Sequence, residues 1–184
     1  SADVRAPNSQ RLTRPSDLTQ FINNTDKLVF KPEFSRFGTS VLVRPSTTAL
    51  AQIRPTETHP WLAQECIVGQ QYASWSLCRS GIVLAHVAYP ITHRAGIGSA
   101  VHFRSVAQPE ISDAVKRIAA KMQWTGQLAF DFIAPVNEAP YVIECNPRLT
   151  SGIHLFRGLP EICDFFTDGE HTPLPEPYQK TAQL

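Results

Sequence analysis

Apolar positions recur along this chain at two spacings. Between Trp61 and Tyr89 they form short extended runs, Trp61–Val68, Tyr72–Arg79 and Ile82–Tyr89, separated by Gly69 and by Ser80-Gly81. The second break is the composition of a tight hairpin turn. Upstream, Leu28–Pro32 and Val41–Val43 read as strands, and Pro15–Ile22 as a short helix opened by Pro and small polar residues. Thr47 to Ile53 fits one or two helical turns. After a loop at Gly96 and Gly98 comes a strand from Ala100 to Val106. Then the period changes. Ile111, Val115, Ile118, Ala119 and Met122 share one face, opposite Lys116, Arg117 and Lys121, which predicts the clearest helix of the chain. Leu128–Ile133 and Tyr141–Cys145 predict two strands joined by the turn Val136–Pro140, and Ser151–Phe156 a short helix. Strands, one long helix and a closing hairpin make an α+β pattern rather than a doubly wound one, with no internal repeat.

Composition bounds the function. A chain of 184 residues with 42% hydrophobic content builds a core for one domain or for two small lobes around a cleft. The net charge of +1, with no basic stripe or acidic tail, argues against nucleic acid and anionic membranes as partners. No apolar run is long enough to span a bilayer, and Ser1–Asn8 holds no signal-like core. Cys66, Cys78, Cys145 and Cys163 lack metal or disulfide spacing and are expected as free thiols in a reducing, cytoplasmic setting. Prolines crowd near residues 173–177, which reads as an extended tail.

The candidate chemistry lies in the closing hairpin. In Phe130-Asp131-Phe132 the carboxylate leaves the strand opposite two large apolar groups. Glu144 and Asn146, two apart, share a face, and pairing through the intervening turn lets them converge with Asp131. Two carboxylates and an amide oxygen are hard ligands suited to Mg²⁺, which takes few protein ligands beside phosphate oxygens. Arg148 follows as the strand ends, where a guanidinium reaches phosphate or carboxylate.

The run Glu144-Cys145-Asn146-Pro147-Arg148-Leu149-Thr150-Ser151-Gly152 resembles the final metal-binding motif of ATP-grasp enzymes, in the form of the biotin carboxylase and carbamoyl phosphate synthetase branch. Leu28–Pro32 resembles the family strand whose lysine contacts the ATP phosphates, here Lys31, ahead of a phosphate-covering loop at residues 33–40. Gln64-Glu65-Cys66-Ile67 resembles the hinge along the adenine edge. The resemblance runs from Val29 to Gly152.

It implies two α+β lobes with antiparallel sheets enclosing an ATP cleft. Residues 1–68 would form part of the small lobe, 69–158 the large lobe, and 159–184 the tail. It implies ATP with Mg²⁺ (or Mn²⁺) held by Asp131, Glu144 and Asn146. Lys31, Ser35, Arg36 and Gly38 would bind phosphate. Gln64 and the backbone of Glu65, Cys66 and Ile67 would bind adenine, and Gln71 would face the ribose. Arg148, Lys31 and Arg94 would stabilise the reacting groups, with His93 and His154 nearby. The implied reaction activates a carboxylate as an acyl phosphate for attack by an amine or thiol. Bicarbonate activation of the carbamoyl phosphate synthetase or biotin carboxylase kind, or a nucleotide-binding module without turnover, are the alternatives. The family's upstream domain has no counterpart in Ser1–Arg14, so either that domain or a second copy of the chain is an expected partner.

Overall fold

The computed structural model describes residues 3–34, 40–91, 93–95, 99–159, 161–167, 173–174 and 181–183, the side chains of 93–95, 99–103 and 183 excepted. The chain divides into two compact units, Pro7–Ile67 with Ala95–Ser99, and Ser1–Ala6 with Val68–Arg94 and Ala100–Leu184.

The smaller unit is an antiparallel sheet of β1 (Ser9–Leu12), β2 (Leu28–Pro32), β3 (Leu42–Val43) and β4 (Trp61–Glu65), in the order β1-β4-β2-β3. One face carries Leu12, Phe30 and Ala63, covered by Leu18 from the 3₁₀ helix Pro15–Phe21 and by Leu50 and Ile53 at α1 (Thr47–Leu50). The Asp17 carboxylate starts the 3₁₀ helix by accepting the N–H groups of Thr13 and Arg14 at 2.8 and 3.0 Å. Ser46 Oγ caps α1 by accepting Ala49 N–H at 3.2 Å. By strand alternation Arg11, Lys31 and Gln64 occupy the other face.

The larger unit is built on β5 (Gln70–Arg79), β6 (Ile82–Pro90), β9 (Gly126–Ala134) and β10 (Tyr141–Asn146), antiparallel throughout in the order β10-β9-β5-β6. Ser80 and Gly81, both at positive φ (46° and 81°), close the two-residue hairpin as a primed turn requires. Helix α2 (Pro109–Met122) lays Ile111, Ala114, Val115 and Ala119 on Cys78, Leu128, Phe130 and Phe132. On the opposite face the 3₁₀ helix Ser151–Phe156 seats Leu155 and Phe156 on Trp75, Val87 and Ala129. The Trp75 and Phe156 rings meet edge to face at 5.4 Å. A small sheet adds β7 (His93–Ala95), β8 (Ser99–Arg104) and β11 (Thr181–Gln183) in the order β11-β8-β7.

Both edges of the large sheet carry further chain. At β10 the Val142 N–H donates to the Arg5 carbonyl at 2.9 Å, and at β6 the Leu174 and Val106 N–H groups donate to Leu84 and Ala88 carbonyls at 2.7 and 3.0 Å.

Several elements differ from the periodicity reading. β1 was not expected, since Ser9–Leu12 has one apolar residue; pairing with β4 makes it a strand. The predicted strand 61–68 stops at Glu65, and the first and last short helices are of 3₁₀ type. The expected tail carries α3 (Glu161–Asp164) and buries Phe165, because Ile162 and Phe165, three apart, both reach the Trp75 cluster. Within that tail, residues 168–172 and 175–180 lie outside the described residues.

Candidate functional site

Strand register brings the predicted ligands together. Val142 pairs with Phe132 and Glu144 with Asp131, so Ile143 is an extra residue, a β-bulge. A flat ladder continued from Tyr141 and Val142 would set Ile143 opposite Asp131 and turn Glu144 to the other face. With the bulge, Tyr89, Ala73, Asp131 and Glu144 form one transverse row across β6, β5, β9 and β10. Val87, Trp75, Ala129 and Asn146 form the next row. Asp131, Glu144 and Asn146 therefore share the face on which Ser151–Phe156 sits. Gln71, opposite Ile133, lies one row to the other side of Asp131 on that face.

The surroundings are uneven in polarity. Tyr89 is buried; burial first, and the Asp131 charge second, push its hydroxyl pKa up, and the Thr150 side chain partly offsets them. Burial, then the Glu144 charge, raise the Cys145 thiol. Glu144 and Arg148 are exposed and Asn146 half-buried. Arg148 Nη2 donates to Asn146 Oδ1 at 3.1 Å. His154, exposed, lies on the 3₁₀ helix that follows. Among the described residues no group of three His, Cys, Asp or Glu side chains is placed to hold a metal. The set on β9 and β10 is two carboxylates plus an amide oxygen, which fits a hard divalent cation that completes its shell with phosphate or water.

In the smaller unit Lys31 opposes Leu62, which opposes Arg11, and Gln64 opposes Val29 one row along. Arg11, two strands from Lys31 in the same row, is brought onto that face by β1, and its Nε donates to Glu33 Oε2 at 2.7 Å. Gln64 is buried, and its amide donates to Ser9 Oγ at 3.0 Å. The Glu65 and Cys66 N–H groups donate to the Asn8 and Lys27 carbonyls at 2.8 and 2.9 Å. Part of the hydrogen-bonding capacity of residues 64–66 is thus engaged within the unit. A groove of about 250 Å³ lined by Leu18, Ile22, Leu50 and Arg54 involves none of the predicted residues. Ser35, Arg36 and Gly38 lie outside the described residues, as do the side chains of His93 and Arg94.

Residues 2–152 match the family model of the ATP-grasp domain, and the chain belongs to that family. Its fold is shared with solved structures. The L-amino acid ligase from Bacillus licheniformis is 18% identical with a TM-score of 0.58, over 82% of this chain and 38% of that one. The ADP complex of purK, N5-carboxyaminoimidazole ribonucleotide synthetase, is 14% identical with a TM-score of 0.68, over 97% and 51%. The ATP-grasp ligase PsnB, complexed with precursor peptide PsnA2 and AMPPNP, is 17% identical with a TM-score of 0.56, over 87% and 48%. At these identities the likeness is one of fold, and the chain spans about half or less of each relative's length. No curated protein sequence matches it. No helix among the described residues is long and apolar enough to cross a membrane.

Proposed function

We propose that this chain carries the nucleotide and metal site of an ATP-dependent ligase that activates a carboxylate for attack by an amine. The observation that supports it most is the direct opposition of Asp131 and Glu144 across a bulged hairpin, with Asn146 next on the same face, in a chain of the ATP-grasp family. Asp131, Glu144 and Asn146 would hold Mg²⁺. When bound, such an ion neutralises charge on the phosphate oxygens of ATP.

The chain's own residues supply the rest. We assign to Lys31 a phosphate contact, to Gln64 and the Ile67 peptide the base, and to Gln71 the ribose. Arg148 neutralises the carboxylate or the phosphoryl group it receives. The carboxylate oxygen attacks the γ-phosphorus and ADP leaves. The amine then adds to the acyl carbon, phosphate leaves, and the amine proton passes to solvent or phosphate. Neither step needs a protein nucleophile, so the protein's work is placement and charge.

Asp131→Asn and Glu144→Gln should each abolish Mg-dependent ATP binding in a calorimetric titration, with circular dichroism unchanged. Wild-type affinity in both variants would remove the metal assignment. Phosphate release from ATP, measured over a panel of amino-acid pairs and with bicarbonate plus ammonia, separates carboxylate–amine ligation from bicarbonate activation.

A further inference from the structure

The turn that ends β10 sets a cation on one of the proposed ligands. Pro147 has its φ fixed by its ring at about −65°. Across it the Arg148 N–H donates to the Asn146 carbonyl at 2.8 Å, a three-residue turn that doubles the chain back. The reversal lets Arg148 Nη2 donate to Asn146 Oδ1 at 3.1 Å while Nη1 donates to the Leu149 carbonyl at 3.3 Å. The guanidinium thus sits on the amide oxygen that the ligand reading assigns to a divalent ion. An amide oxygen has two lone pairs, but a guanidinium and a divalent cation converging on one oxygen repel. Arg148 is exposed, so its side chain has room to swing away.

We propose that Arg148 is a placeholder cation: its hydrogen bond to Asn146 Oδ1 holds that oxygen until a divalent ion takes it, and the ion displaces the guanidinium toward the reacting phosphoryl and carboxylate groups. This rests on the metal assignment above. It adds an order of events, because the guanidinium is released to substrate only after the site is charged. The Asn-Pro-Arg spacing then has a physical purpose. Pro147 closes the turn that lets one residue hold the other.

The test is Mn²⁺ titration of the full chain without nucleotide, read by water-proton relaxation. Arg148→Met removes the competitor and should tighten Mn²⁺ binding by about tenfold, the scale of one hydrogen bond to a charged group. In an Asn146→Ala background the same substitution should change affinity less than about twofold, since the contested oxygen is gone. Equal tightening in both backgrounds would mean a through-space charge effect and would overturn the proposal. Mn²⁺ binding by the wild type that Arg148→Met leaves unchanged would overturn it alone. No Mn²⁺ binding by the wild type would remove the metal assignment as well.

Discussion

A Cβ added at Gly152 would lie 2.5 Å from Trp75 Cβ and 3.2 Å from Tyr89 Cε1. The absent side chain lets the segment after Arg148 press onto Trp75 in the row of Asn146 and Tyr89 in the row of Asp131. Gly152→Ala should therefore destabilise the fold by about 1–3 kcal/mol, the cost of overpacking, and also weaken Mn²⁺ binding. Urea unfolding and Mn²⁺ titration read the two effects separately; lost stability with full affinity would show that strand register places the ligands without this packing. The thiols divide by burial. In Cys78 desolvation pushes the pKa up to about 11 from 9.0. Its folded value exceeds its unfolded one, so the stabilisation is complete below pH 9 and is lost as pH rises toward 11. Tyr89 shifts in the same direction. The urea midpoint should accordingly fall between pH 8 and pH 10.5, and a flat profile would contradict it. The sharing of a face by Glu144 and Asn146 was legible from alternation, as was the direction of Asp131. The sequence pattern contains no sign that Gln64 would be buried against Ser9, because that contact depends on β1, whose polar sequence has no strand signal of its own.

At the scale of elements the deciding feature is the extra residue in β10. Two anchors flank it. Upstream, Arg5 stacks on the Tyr141 ring at 4.1 Å, hydrogen-bonds the Tyr141 hydroxyl and pairs with Glu138 at 2.8 Å, while its carbonyl takes the Val142 N–H. Downstream, the polarity of Glu144 and Asn146 keeps both off the face packed by α2. Ile143 absorbs the one-residue mismatch between the two registers. Deleting Ile143 would leave Val142 on Phe132 and bring Glu144 onto Asp131 in a continuous ladder. Mn²⁺ affinity should then stay within about threefold of the wild type. Inserting Ala between Glu144 and Cys145 would instead turn Asn146 to the opposite face and should weaken Mn²⁺ binding at least about tenfold. Equal effects of the deletion and the insertion would show that register does not set the site. Periodicity could give the strand and its face but not this offset, because the strap that anchors its upstream half comes from residues 3–6, far away in sequence. The hairpin at Ser80-Gly81 and helix α2 were legible because their signals are local: a two-residue turn with glycine, and a run of apolar side chains at helical spacing.

For the whole molecule, the α+β class and the family followed from motif order along the chain, whereas the division into units with separate cores needed the tertiary contacts. The smaller unit closes on Leu12, Leu18, Phe30, Leu50, Ile53 and Ala63, and the larger on two clusters either side of its main sheet. A domain of roughly 60 residues buries a smaller share of its surface than a larger one and has little stability in reserve. Phe30 is 0% exposed and at the centre of that core, with Lys31 beside it on the opposite face. Phe30→Ala should cost about 3–5 kcal/mol, enough to unfold a unit of this size while the larger one, with its own clusters, keeps its structure. Amide exchange would then show lost protection in β2 and β4 and retained protection in β5, β6 and β9. Binding should divide the same way. On the ligand assignment proposed above, Mn²⁺ should bind with wild-type affinity, while ATP, if it loses the contacts proposed for Lys31 and residues 64–67, should bind markedly more weakly. Loss of protection in both units together would mean that they fold as one cooperative body. ATP affinity unchanged in the variant would mean that Lys31 and the hinge do not contact the nucleotide.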